Sequence, residues 1–321
     1  MERAANPGAR VSSLAVVGAG WAGLAAAVRA CERGFAVTLY EMAPHAGGRA
    51  RRIDVAHDNG QHILIGAYRH TLALMRAVGA DPERLLLRLP LELRFPDGRG
   101  LRLPPGRPLP AFARAVLGAT GWTWPERLAL LATASRWAAR GFRCDAALSV
   151  DTLCAALPRA VRELLIDPLC VAALNTPARE ASAAVWLRVL RDALFGGPGS
   201  ADLLLPTAPL SALLPEPALV WLERHGVALR LAHRVRLLAP DAGSWCVDGE
   251  RHDLVVLACS AVEAARLARP HAADWADAAA RLRHEPIASI VLGGAPCRLP
   301  APMMALREGP EPGRHQCAHA G

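Results

Sequence analysis

Short unbroken apolar runs separated by glycine turns open the chain: LAVV at residues 14–17, the helical spacing of WAGLAAAVRACERG, then a second run, FAVTLYE. Four consecutive apolar residues suit a strand covered on both faces, and Gly34 ends the intervening helix before the next strand begins. The order strand, glycine turn, helix, strand predicts a βαβ unit. A further helix is expected over residues 69–78, stopped by Gly79 and followed by the turn formers Asp81 and Pro82.

From about residue 85 the pattern changes to proline-punctuated, mostly helical segments, including 125–140, 158–166 and 181–195. Strand candidates are few here, 91–95 and 101–103 flanking the turn Pro96-Asp97-Gly98. These helices are apolar over more than half their circumference, which suits a core, a lipophilic pocket or a lipid-facing surface. From residue 218 the α/β character returns, with a helix through 221–225, strands around 227–238, the turn Asp241-Ala242-Gly243, and a strand pair 244–247 and 253–258 around the hairpin signal Asp248-Gly249. The expected fold class is α/β, a Rossmann-like dinucleotide-binding domain with an inserted, mostly helical α+β substrate domain. Its expected boundaries are 12–84 for the first segment of the binding domain, 85–217 for the substrate domain, 218–300 for the returning segment and 301–321 for an irregular tail.

Composition narrows the classes. At 321 residues, 52% hydrophobic against 21% charged, the chain can bury a large core. Its net charge of +8 comes entirely from arginine, since lysine is absent, and the arginines form no basic tract. With aromatics at only 5%, nucleic-acid binding is not expected. The eight cysteines form no CxxC pair, so neither a disulfide framework nor a zinc site is expected. His315, Cys317 and His319 alternate like metal ligands but sit in a proline- and glycine-rich stretch, and no metal is assigned. No signal peptide or membrane span is legible, which predicts a cytoplasmic protein, at most peripheral to the inner face of a membrane.

The chemistry concentrates early. Gly18, Gly20 and Gly23 give G-A-G-W-A-G between a strand and a helix: one glycine for the sharp turn, one for close approach of a pyrophosphate, one for helix packing. Ala19, Trp21 and Ala22 complete that turn. Glu41, 18 residues beyond Gly23 at the end of the second strand, suits the hydroxyls of an adenosine ribose. Gly47-Gly48-Arg49 then adds a close-approach loop and a fixed cation for a diphosphate. Together these residues resemble the amine oxidase and phytoene desaturase superfamily of FAD proteins, which implies FAD as cofactor and places the Val235 backbone against the adenine.

The run Asp58-Asn59-Gly60-Gln61-His62-Ile63-Leu64-Ile65-Gly66-Ala67-Tyr68 resembles, more narrowly, the squalene-associated FAD-dependent desaturases, described as hydroxysqualene dehydroxylases of hopanoid synthesis. The segments Leu165-Ile166-Asp167-Pro168-Leu169-Cys170, Ala173-Leu174-Asn175-Thr176 and His284-Glu285-Pro286-Ile287 are similar too. That resemblance implies reductive dehydroxylation of hydroxysqualene to squalene, a lipophilic isoprenoid substrate, an external electron donor for FAD and peripheral membrane contact. His62 is then the candidate proton donor, because imidazole titrates near neutrality. Asp58 is its candidate orienter, and Gly60 and Gln61 are candidate cofactor contacts. The alternative for all of these is structural hydrogen bonding beside the isoalloxazine. The resemblance also implies a longer chain, since no G-D-W or E-G-A segment follows Ala258. On that expectation the chain is C-terminally truncated and holds the ADP half of FAD more firmly than the flavin ring. A carotenoid or phytoene desaturase-type enzyme and an inactive truncated flavoprotein remnant are the rival readings. An amine oxidase is disfavoured because many use a lysine near the flavin.

Overall fold

The computed structural model describes residues 11–55, 57–291, 301–307 and 315–319. The chain divides into two compact units, one drawn from residues 1–62, 70–87 and 206–284, the other from 63–69, 88–205 and 285–321.

In the first unit, strand β1 (Ser13–Val17), helix α1 (Trp21–Glu32) and strand β2 (Ala36–Tyr40) form the expected βαβ unit. β1 is central because it is apolar from Leu14 to its end, with Ala15 and Val16 fully buried. It pairs in parallel with β2 on one side and with Leu254–Leu257 on the other, so that Val17 faces Tyr40 and Leu257. Ala228–Arg230 extends the sheet beyond β2, also in parallel. Thus a segment some two hundred positions downstream supplies both outer strands. Behind the sheet, Ala15, Val17 and Tyr40 pack with Val235, Leu238, Val247 and Leu267.

One pairing differs from expectation. The Asp248-Gly249 turn does join a hairpin, with both residues at positive φ (45° and 95°), but Ser244–Val247 pairs antiparallel with Glu250–His252 and with Leu238–Asp241. The apolar run Leu254–Leu257 leaves that hairpin and lies beside β1 instead. Polarity explains the difference: Glu250 and Arg251 suit the solvated edge of a small sheet, whereas consecutive apolar residues suit the parallel sheet. Between Arg230 and Leu238 the chain is irregular and follows the segment after β2, Ala232 donating to the Ala43 carbonyl and His233 to that of Glu41.

The second unit is mainly helical. Pro108–Gly118, Trp124–Ala139, Asp167–Leu174 and Ala183–Leu194 surround a core containing Val116, Leu130, Val161, Ile166 and Leu187. Trp137 and Trp186 meet edge to face there, with centroids 5.5 Å apart. Arg162–Ile166 widens into a π turn just before Pro168, whose missing N–H cannot close an α-helical bond. Glu92–Arg94 and Gly100–Arg102 form the expected hairpin around Pro96-Asp97-Gly98. Leu64–Ile65 pairs antiparallel with Leu203–Pro206.

The tail departs from the irregular conformation expected, because Met303–Arg307 and His315–His319 pair as antiparallel strands. His315–His319 reads HQCAH, with neither an apolar run nor alternation to mark a strand. The side chains of His315, Cys317 and His319 lie outside the described residues. Among the described residues, no helix is long and apolar enough to cross a membrane.

Candidate dinucleotide site

At the ends of β1 and β2 two glycine loops are joined. Gly18 donates its N–H to the Tyr40 carbonyl (2.7 Å) and Gly47 donates to the Ala19 carbonyl (2.8 Å), so that Gly20 and Gly47 form a parallel bridge. The indole Nε1 of Trp21 donates to the Ala50 carbonyl (3.1 Å), closing the second loop against α1.

The glycines divide by what a side chain would meet. Gly18 has φ +104°, and a Cβ on it would lie 2.9 Å from the backbone of Ala258; a Cβ on Gly23 would lie 1.7 Å from the Gly18 carbonyl oxygen. A Cβ on Gly47 would strike that of Arg51 at 2.8 Å. Packing of the chain therefore accounts for these three. Gly20 is different: its φ is −68°, and a Cβ would have ordinary contact with the Gly48 Cα alone, at 3.9 Å. The protein leaves room there for something other than itself. Gly20 also N-caps α1 without a side-chain hydrogen bond, leaving the first N–H groups of the helix facing that room. This is the space and polarity that a diphosphate requires, and FAD fits the residues present.

Glu41 is only 8% exposed, and its carboxylate is already engaged: Oε2 accepts from the Ala19 N–H (2.7 Å) and Oε1 from that of Ala43 (2.9 Å). The sequence predicts a ribose acceptor, and the structure adds a second duty, fixing the first glycine loop from behind. Each carboxylate oxygen keeps lone-pair capacity for a hydroxyl. Arg49 is exposed, and among the described residues its guanidinium makes no hydrogen bond or ion pair; its carbonyl accepts from Asn59 Nδ2 (2.8 Å). Arg51, in contrast, is tied to the Gly48 carbonyl (2.9 Å) and to His45. Ala22 is exposed at the helix start, and Gly48 is exposed beside Gly20. Val235 is buried, its carbonyl accepting from Arg266 (2.6 Å).

The Asp58 to His62 stretch does not bring its two candidate catalytic groups together. Both oxygens of Asp58 accept from the Leu210 N–H at 3.1 Å, so the carboxylate caps the short helix Leu210–Leu213 instead of orienting His62. The Nδ1 atom of His62 is covered and has no partner among the described residues. Gly60 takes φ +78° and Gln61 is exposed.

A polar network that sequence reasoning missed lies beneath β2. The Tyr40 hydroxyl donates to Glu250 Oε2 (2.8 Å), so its oxygen receives His252 Nε2–H (3.1 Å), and the covered Nδ1 of His252, the acceptor nitrogen, has no partner among the described residues. Burial, reinforced by Glu250, pushes the Tyr40 phenol well above its usual range, while the hydrogen bond from Tyr40 and the nearby Arg230 hold Glu250 low. Burial holds the His252 imidazole below its ordinary value, against the pull of Glu250 and Asp253. Only the tyrosine at the end of an apolar strand could have hinted at this network.

Residues 21–293 match the model of the family described as flavin containing amine oxidoreductase. The hydroxysqualene dehydroxylase of Sinorhizobium fredii is 30% identical over 247 residues, covering 71% of this chain and 54% of that protein. That of Rhodopseudomonas palustris is 31% identical, covering 70% and 54%. The chain thus spans about half the length of these curated relatives. Among solved structures, cyclohexylamine oxidase from Brevibacterium oxydans superposes with a TM-score of 0.60 at 20% identity, over 85% of this chain and 63% of that one.

Proposed function

This chain belongs to the flavin containing amine oxidoreductase family, with FAD as its cofactor, and from that premise we propose that it belongs to an enzyme removing the hydroxyl group of hydroxysqualene to give squalene. The observation carrying this reading is the extent of its likeness to the two dehydroxylases, which at 247 residues reaches far beyond the glycine fingerprint. In this reading residues 85–217 form the substrate domain, and the enzyme works at the cytoplasmic face of a membrane on an isoprenoid drawn from it.

Replacing C–O by C–H requires a hydride at carbon and a proton on the departing oxygen, which leaves as water; an allylic carbon spreads the positive charge between those events. Bound FAD, reduced by an external electron donor, supplies the hydride. The chain supplies the rest. Gly18, Ala19, Gly20, Trp21, Ala22 and Gly23 cradle the diphosphate at the start of α1 with Gly47, Gly48 and Arg49, while Glu41 takes the ribose and Val235 the adenine. Gly60 and Gln61 hold the flavin ring. His62, with a ring nitrogen that has no partner among the described residues, hands the proton to the hydroxyl oxygen, and Asp58 holds the loop that carries it.

Flavin-loaded protein incubated anaerobically with hydroxysqualene and a chemical reductant is expected to form squalene. No squalene, with phytoene desaturated under oxidising conditions, would transfer the reading to the carotenoid enzymes. His62→Ala is expected to keep its flavin spectrum and lose at least about a hundred-fold in turnover; unchanged turnover removes His62 from the chemistry.

A further inference from the structure

Residues 103–143 hold six arginines against a single carboxylate, Glu126, a local net charge of +5 in a chain whose total is +8. Glu126 is occupied at the start of its own helix, accepting from the Thr123 N–H (2.7 Å) and hydroxyl (2.9 Å). Among the described residues, Arg107, Arg114, Arg127, Arg136, Arg140 and Arg143 form no ion pair. On the same two helices sit large exposed apolar side chains: Leu109 (63%) and Leu117 (40%) on Pro108–Gly118, Trp124 (62%) and Leu128 (59%) on Trp124–Ala139. Arg127 joins the two groups, donating to the Leu117 (2.6 Å) and Ala119 (2.8 Å) carbonyls at the end of the first helix while its guanidinium lies 4.9 Å from the Trp124 ring centre. The indole is therefore held outward by a cation, with Leu128 one turn along on the same face.

We infer that this helix pair is a docking surface for an anionic phospholipid bilayer, Trp124 and Leu128 entering the headgroup region and the arginines meeting lipid phosphates. Charge complementarity selects that occupant, because an apolar protein partner has no use for +5, and a soluble polyanion would gain nothing from Trp124 and Leu128. The inference leans on the lipid-soluble substrate proposed above only for the use of such a surface.

The test is co-sedimentation of the 321-residue chain with vesicles of phosphatidylcholine alone and of phosphatidylcholine with phosphatidylglycerol, without substrate or flavin. Binding is expected to the anionic vesicles, weakened at least about ten-fold by Trp124→Ser with Leu128→Ser. Arg107→Gln with Arg140→Gln is expected to weaken it about five-fold per arginine, and the charge-matched pair Arg224→Gln with Arg283→Gln much less. Vesicles of brominated lipid should quench fluorescence that Trp124→Phe abolishes. Equal losses from both arginine pairs, or binding indifferent to Trp124 and Leu128, overturns the inference. A change of oligomeric state in the Trp124 and Leu128 variant, with vesicle binding intact, would assign the face to a second copy instead. A failed dehydroxylation assay leaves all these outcomes readable.

Discussion

At Gly20 an added methyl meets only the Gly48 Cα at an ordinary contact distance of 3.9 Å, whereas at Gly23 it would meet the Gly18 carbonyl oxygen, so the same substitution separates ligand binding from folding. Gly20→Ala is expected to change the stability of the flavin-free protein by no more than about 1 kcal/mol while weakening FAD binding at least ten-fold, read by denaturation and flavin titration. Gly23→Ala is expected to cost about 1–3 kcal/mol or more through overpacking. Sequence spacing marks both residues as one motif and cannot assign their separate duties, because it shows neither the approach of the Gly18 carbonyl to Gly23 nor the clearance between Gly20 and the Gly48 Cα. His252 carries a pH consequence. Its folded pKa lies below the unfolded value near 6.5, so the unfolded chain binds the proton first. Stability from this residue is complete above about pH 6.5 and declines as pH falls toward the folded value. Denaturant titrations at neutral and mildly acidic pH should show that slope, and His252→Phe should flatten it.

At the scale of elements, β1, α1 and β2 were legible because local pattern and tertiary fate agree: apolar runs become buried strands, and glycine stops a helix. The hairpin at Asp248-Gly249 was legible as a turn but not in its partner, since Glu250–His252 is short and polar, and the apolar run after it belongs to another sheet. Turn chemistry acts locally, while pairing is chosen by burial. Gly249 sits at φ +95° and an added Cβ would meet nothing within 4 Å, so Gly249→Ala tests backbone strain alone and should cost about 1–2 kcal/mol in thermal or denaturant unfolding. The Asp58 carboxylate shows the reverse limit: its motif suggests chemistry, yet its partner, the Leu210 N–H, is 152 positions away.

For the whole molecule, the sheet that carries the glycine loops is completed by Ala228–Arg230 and Leu254–Leu257, so occupancy of the site is linked to folding of distant parts of the chain. A ligand bound only by the folded state stabilises it, and FAD at a hundred-fold excess over its dissociation constant should add about 2.7 kcal/mol. Calorimetry with and without FAD should show a raised melting temperature for the wild type and little change for Gly20→Ala. The fold class was readable because dinucleotide sites require glycines at set places. The charge between residues 103 and 143 is not legible as a tract, because its arginines stand several positions apart.

The hydrogen bond from Gly47 to Ala19 gives the binding loops a kinetic character. Because the second loop is latched to the first within the protein itself, no ordering step stands between encounter and capture. Association observed by stopped-flow flavin fluorescence should then be a single exponential whose rate rises linearly with FAD concentration, without a plateau. Replacing Ala50, whose N–H donates to the Gly47 carbonyl (3.2 Å), by proline removes that bond and should loosen the latch and bring a plateau into view.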